Sequence, residues 1–198
     1  MIQLAFYERV YMLKELESYV VDDIVRDDTK VIFVLESPHT QEVKNGYPVA
    51  GKSGVDMSLV LFGISEPFGK LVHEKRLNGL GVLNISNLPL QKSAYQNPHA
   101  KVLEFFETIR QNPKPRKNPK SDINLVIEKM LGNFKSRLQK HKDKKVVLCG
   151  NFAQNVFDEV FCDDDFESVL RVPHPSFNNW RKTRYEEKIK QLKEFVKC

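Results

Sequence analysis

Long apolar runs are missing from this chain. The longest reach five or six residues, Val31–Leu35 and Leu59–Phe62 running on to Ile64. A membrane span needs roughly 18, so no membrane partner is expected. Cysteine is scarce as well. Cys149, Cys162 and Cys198 stand far apart with no C-x-x-C spacing, which argues against a zinc or iron–sulfur centre. A sparse, odd count fits a reducing compartment, and a cytoplasmic location is expected. The first residues carry Glu8, Arg9, Lys14 and Glu15 among their apolar positions, unlike a signal peptide. Internal repeats and low-complexity segments are absent, and between Gln111 and Lys120 there is no acidic residue.

The 198 residues are 41% apolar, 10% aromatic and 29% charged, enough for one domain, 1–198, with a real core. The net charge of +5 is compatible with a nucleic-acid partner without identifying one. Positive charge gathers at Lys114, Arg116, Lys117 and Lys120, in a basic loop over 111–121, and at Arg181, Lys182 and Arg184. Taken alone, both runs read first as solvated surface.

Periodicity organises the rest. Phe6, Val10, Leu13, Leu16 and Val20 mark an amphipathic helix within an N-terminal segment, 1–30, whose polar stretch from Asp22 to Lys30 ends it. Val31–Leu35, Gly81–Ile85, Lys145–Cys149 and Val169–Val172 read as short buried strands. Between them, Glu36 to Lys52 is loop-like and a helix starts near Ser53. Asn97-Pro98 opens a second helix carrying Val102, Phe105, Phe106 and Ile109. Ser121 or Asp122 caps a third, with Ile127, Leu131, Phe134 and Leu138 on one face. Gly150-Asn151 turns into a fourth, and Trp180 onward is the last. Strands alternating with helices predict a three-layer α/β/α sandwich around a short central, mainly parallel, four-stranded sheet.

Polar loops follow these strands, where open α/β sheets bind ligands. Glu36-Ser37-Pro38-His39 and Gly46 to Gly54 follow the first. Asn84 closes the second, Gly150-Asn151 the third, and His174-Pro175-Ser176-Phe177-Asn178 follows the fourth. Gly46 to Ser53 matches the phosphate-binding pattern G-x-x-x-x-G-K-[ST]. That loop must join strand to helix directly so that its amides cradle phosphate. Here about ten residues intervene, Pro48 and Val49 stiffen the turn, and no later strand ends in a magnesium-holding acid. A nucleotide-binding loop is the lesser reading, and ATP binding that depends on Lys52 would be its mark.

Read together, the four strand ends resemble the uracil-DNA glycosylase superfamily. Glu36-Ser37-Pro38 with Gly46, Pro48, Gly51 and Gly54 is similar to the motif type G-E-A-P-G followed by G-x-P-F-x-G-x-x-G. Gly81–Asn84 resembles the strand whose terminal Asn reads the base, and Val147–Gln154 resembles W-G-S-x-A-Q. Val169–Ser176 resembles the strand and H-P-S loop of the catalytic His. The segments come in the family's order, between about Val31 and Arg181.

The resemblance implies hydrolysis of the N-glycosidic bond of uracil or another deaminated base in DNA, without metal or cofactor. Such an enzyme flips the base out of the stack and stabilises the negative charge it carries away. It implies that Asn84 reads the base edge and His174 stabilises the leaving base, with Ser37 at the water-positioning place. Glu36, Pro38, His39, Tyr47 and Val49 would line the base pocket. Gly51, Lys52, Ser53, Gly150, Asn151, Ser176, Phe177, Asn178, Arg181 and Lys182 would lie along DNA, single-stranded or a damaged duplex. A monomer is expected.

Three positions depart from the family pattern. Ser37 cannot act as a base where the most active branch has Asp; His39 or Glu36 could substitute. Val49 stands where an aromatic ring stacks on the base, which Tyr47 could replace. Asn178 stands where Leu wedges into the duplex, unless Phe177 is the wedge. These departures support a second reading, a weak or inactive relative that binds nucleic acid or a free base. Each residue also has a plain structural role open to it: a strand cap for His174, a turn for Asn84, a loop anchor for Glu36, a solvated helix start for Lys52.

Overall fold

A computed structural model describes residues 16–96, 100–114 and 121–197. The expected helical positions Phe6, Val10 and Leu13, the Asn97-Pro98 cap, and the basic residues Arg116, Lys117 and Lys120 lie outside the described residues.

Four parallel strands form the sheet, in the order β2-β1-β3-β4: β1 Val31–Leu35, β2 Leu80–Asn84, β3 Lys145–Cys149 and β4 Ser168–Val172. β1 and β2 are buried at every position, as parallel strands covered on both faces must be. Alternate side chains go to opposite faces. Val31, Phe33 and Leu35 pack with Met57 of α2 (Lys52–Phe62), Phe68 and Val72 of α3 (Phe68–His73), and Ile189 and Leu192 of α7 (Glu186–Phe195). Ile32 and Val34 pack on the other face. There they meet Ile109 of α4 (Ala100–Gln111), Ile127 and Phe134 of α5 (Asp122–Leu138), and Val156 and Phe157 of α6 (Asn151–Val160). The three-layer α/β/α sandwich is therefore the observed architecture.

Several boundaries differ from expectation. The stretch 36–52 is not all loop: α1 (Thr40–Asn45) occupies part of it, stopped by Gly46 in the left-handed region. The final helix does not begin at Trp180. Short 3-10 turns run from Ser176 to Tyr185, broken by extended Lys182, before α7 starts at Glu186. The polar stretch 22–30 contributes an antiparallel bridge, Ile24 to Val82, with N–H···O bonds of 2.8 Å in both directions. That bridge covers part of the β2 edge. Val20 is not inward-facing; it is half-exposed.

The order β2-β1-β3-β4 fixes where a ligand can enter. The chain leaves β1 toward the α2 and α3 face and leaves its neighbour β3 toward the α6 face. Connections that part to opposite faces open a crevice at the carboxyl ends of the strands.

Candidate active site

That crevice is a cleft of about 530 Å³, within the range of ligand sites. All four strand ends contribute. Glu36 and Ser37 come from β1, Asn84 from β2, Gly150 and Asn151 from β3, and His174, Ser176 and Phe177 from beyond β4; His39, Val49 and Ser53 complete the expected residues that line it.

The backbone of Asn84 is held on both sides. Its N–H donates to Asp23 Oδ1 at 3.3 Å, and Arg137 Nη2 donates to its carbonyl at 2.8 Å. Arg137 Nη1 also bonds Asp23 Oδ2 at 2.6 Å. Burial raises the Asp23 carboxyl, and the Arg137 charge opposes it. The Asn84 side chain, only 3% exposed, lines the cleft and has no hydrogen-bond partner among the described residues. Its amide opens onto the cleft, with Nδ2 able to donate and Oδ1 to accept, so this group is set to recognise a ligand edge carrying both a donor and an acceptor.

His174 is set in the opposite way, with one nitrogen fully committed. The Ser176 backbone N–H donates to Nδ1 at 3.1 Å, and Ser176 Oγ lies 2.8 Å from the same atom. A backbone amide can only donate, so Nδ1 accepts, and in the neutral ring the proton sits on Nε2. Nε2 has no partner among the described residues and is the donor left for the cleft. Burial, with the Arg110 charge as the second cause, lowers the His174 pKa to about 4. The imidazole is therefore neutral at physiological pH.

The loop around His174 is braced from several directions. Asn179 Nδ2 donates to the His174 carbonyl at 3.0 Å, and Trp180 Nε1 donates to the Pro173 carbonyl at 2.7 Å. Gln154 Nε2 donates to the Val172 carbonyl at 3.0 Å, and Gly150 N–H donates to the same oxygen at 2.9 Å. Gly150 must be glycine on two counts. Its φ is +90°, and a Cβ there would lie 2.8 Å from His174 Cβ. Phe177 and Asn178 both have left-handed backbone, φ 57° and 54°, and Phe177 projects outward, 87% exposed.

Ser37 Oγ accepts the Leu90 N–H at 3.3 Å, tying the first loop to the one after β2. Glu36 is paired with Arg110, whose Nε donates to Oε1 at 2.5 Å. Glu42 Oε2 accepts the His39 N–H at 3.1 Å, so it caps α1. Val49 has φ 56°, an uncommon backbone for a β-branched residue. Gly54 makes room for it, since a Cβ at 54 would sit 2.0 Å from the Val49 carbonyl oxygen.

Seven expected residues are not brought into the lining. Pro38 is buried behind it. Tyr47 turns away and stacks on His73, centroids 5.3 Å apart, so it does not replace the ring missing at Val49. Gly51 caps α2 and Lys52 is exposed on its first turn. Asn178 lies beyond the rim and is exposed. Arg181 Nη2 bonds the buried Asp56 at 2.8 Å, and Lys182 Nζ bonds Asn179 Oδ1 at 2.6 Å; both brace the loop. Conversely, Arg110, Asn179, Gln91, Glu42 and Phe152 line the cleft without having been expected there. Asn179, two residues past the H-P-S-F loop in a run of polar residues, had a sequence signal. Arg110, on an unremarkable helix, had none.

The match to a phosphate-binding loop does not hold in three dimensions. α1 lies between β1 and Gly46, and the Gly54 and Val55 amides point back to the Gly51 carbonyl as part of α2. Among the described residues, no three His, Cys, Asp or Glu side chains gather as a metal site, and no helix is long and apolar enough to cross a membrane.

A search of curated proteins finds no match to this sequence. A family model does match. It is the one described as the Uracil DNA glycosylase superfamily, and it covers residues 23–197, a span that includes all four strand ends and every residue of the cleft. With the three-layer fold, the cleft at the strand ends and the paired Asn84 and His174 as its context, the conclusion is that this chain belongs to the uracil DNA glycosylase superfamily.

Proposed function

We propose that the protein hydrolyses the N-glycosidic bond of uracil or another deaminated base in DNA. One observation carries the reading. Asn84 presents a carboxamide with no hydrogen-bond partner among the described residues, and His174 presents a neutral Nε2–H, to the same cleft. Uracil and xanthine, each with a ring N–H between two carbonyl oxygens, offer a matching edge. The ring N–H donates to the Asn84 carbonyl, one oxygen accepts from the Asn84 amide, and another accepts from His174. A base flipped into the cleft meets all three.

As the C1′–N bond breaks, its electron pair goes to the base, and the charge settles on the oxygen facing Nε2–H. A preorganised donor of this kind contributes about 10²–10³-fold in rate. A water oxygen bonds to C1′, and its proton passes to a carboxylate. Ser37 cannot take that proton. Glu36, the next residue on the same wall, is a carboxylate with one oxygen held by Arg110 and the other without a partner among the described residues. Phe177, exposed at the rim, is suited to fill the gap in the stack, which makes a stacked or distorted duplex a fitting substrate alongside single strands.

A second reading, a relative that binds without cleaving, is supported by the engagement of Ser37 Oγ with Leu90 and by aliphatic Val49 at the base-stacking place. Oligonucleotides carrying one uracil, hypoxanthine or xanthine, single- and double-stranded, separate the two. Alkali-labile abasic sites formed by the wild type and not by folded Asn84→Ala support hydrolysis. Salt-sensitive binding with no abasic site supports the second reading.

A further inference from the structure

The cleft contains one fixed positive charge. Among the described lining residues Arg110 is the only Arg or Lys, and it comes from α4, outside the four motifs that carry the family likeness. We propose that Arg110 is a positioning residue for the reaction, supplied by this helix to hold the Glu36 carboxylate at the sugar side of the bound nucleotide. The proposal rests on the hydrolase reading above and adds to it a residue and a division of labour.

The geometry supplies the argument. The neighbouring residue Ile109 is fully buried in the core, so the end of α4 is anchored, and the half-exposed guanidinium reaches Glu36 from there. Its contact with Glu36 is through Nε to Oε1 alone, which leaves Oε2 to hold a water. The other residues on that wall have different ties: Glu42 belongs to α1 and holds the His39 N–H at that helix's start rather than a cation, and Ser37 Oγ accepts from Leu90 and is no base. A glutamate side chain left alone at a cleft wall samples several rotamers, and pinning it avoids that loss at the moment of reaction.

Arg110 also acts on the opposite wall. The imidazole of His174 shares the cleft with Glu36 just after β1, His39 just before α1, Glu42 in α1, Arg110 from α4, Cys149 at the end of β3 and Ser176 from its own loop. Of these, Arg110 is the charge that disfavours a second cation there. One guanidinium thus keeps the carboxylate in place and helps keep the donor neutral.

The test is a double-mutant cycle on base release under single-turnover conditions, with Arg110→Met, Arg110→Lys, Glu36→Gln and the Arg110→Met/Glu36→Gln pair, each checked for a native melting transition. The expected result is a roughly 10- to 100-fold slower rate for Arg110→Met, DNA affinity within about threefold, and little further loss when Arg110→Met is added to Glu36→Gln. Arg110→Lys, lacking the guanidinium Nε–H, should recover only part of the rate. In parallel, NMR titration of labelled His174 should show a higher pKa in Arg110→Met than in the wild type. An equal rate loss in the wild-type and Glu36→Gln backgrounds overturns the proposal. So does weaker DNA binding at unchanged rate, which would make Arg110 a phosphate contact. Failure of the wild type itself to release any base overturns the hydrolase reading, and this proposal with it.

Discussion

Acidifying the protein should cost stability through His174, by an amount the structure allows one to work out. The ring is neutral and partly buried, with Nδ1 accepting the Ser176 N–H, and its folded pKa is about 4 against an ordinary 6.5. A depressed base means that the unfolded chain binds the proton more readily. Stability is unaffected above about pH 6.5 and falls as the pH drops from there toward about 4. Each pH unit within that window carries about 1.4 kcal/mol. Between about pH 7.5 and about pH 5 the loss comes to about 2 kcal/mol, and nearer 1 kcal/mol if water screens the ring. His141 is also depressed, by burial and Lys144, and adds a loss of the same sign. Comparison with His174→Asn isolates the His174 share. The assay is urea unfolding of both proteins at the two pH values, with slopes checked for constancy. The wild type should lose about 1–2 kcal/mol more than the variant. Equal losses in the two proteins would refute the burial and tautomer assigned to His174.

Other perturbations test the frame around the ring. Gly150→Ala places a methyl against His174 at a φ of +90°; it should cost about 2–4 kcal/mol in urea unfolding, and an unchanged midpoint would contradict the close approach. Phe177→Ala should slow base release from duplex substrates by about 5- to 100-fold while leaving single-stranded substrates nearly unchanged; equal slowing on both would remove its role in the stack. Arg181→Met leaves Asp56 buried without its partner, so thermal melting should show a loss of about 1–3 kcal/mol. The salt slope of DNA binding should stay the same, and a slope reduced by about one would make Arg181 a phosphate contact after all.

Much of this frame was legible in the sequence, for physical reasons. β1 and β3 fall at their expected bounds, Val31–Leu35 and Lys145–Cys149, because runs of Val, Ile and Leu closed by Glu36 or Gly150 have few other ways to be buried. Residues at strand ends converge because a parallel sheet brings its carboxyl ends together. That is how Ser37, Asn84, Gly150 and His174, far apart in the chain, share one cleft. What escaped depends on local backbone or on docking. α1 and α3 are six residues each, too short to show a helical period. Left-handed Val49 decides which side chains of its turn face the cleft, and it directs Val49 there while Tyr47 goes to His73. Arg110 enters because α4 buries Ile109 in the core and so sets the next side chain beside Glu36, and nothing in its local pattern distinguishes it from a solvated arginine. Arg181 and Lys182 read as DNA contacts from charge alone, whereas the buried Asp56 and the side chain of Asn179 engage them.

The most direct test of the account is chromatographic detection of free base from a single-stranded oligonucleotide containing one uracil, incubated with the wild type and with His174→Ala. The account predicts free uracil and an intact abasic strand with the wild type, reduced at least about 100-fold with the variant. Release at equal rates by both proteins would contradict the assignment of His174 as the donor to the leaving base.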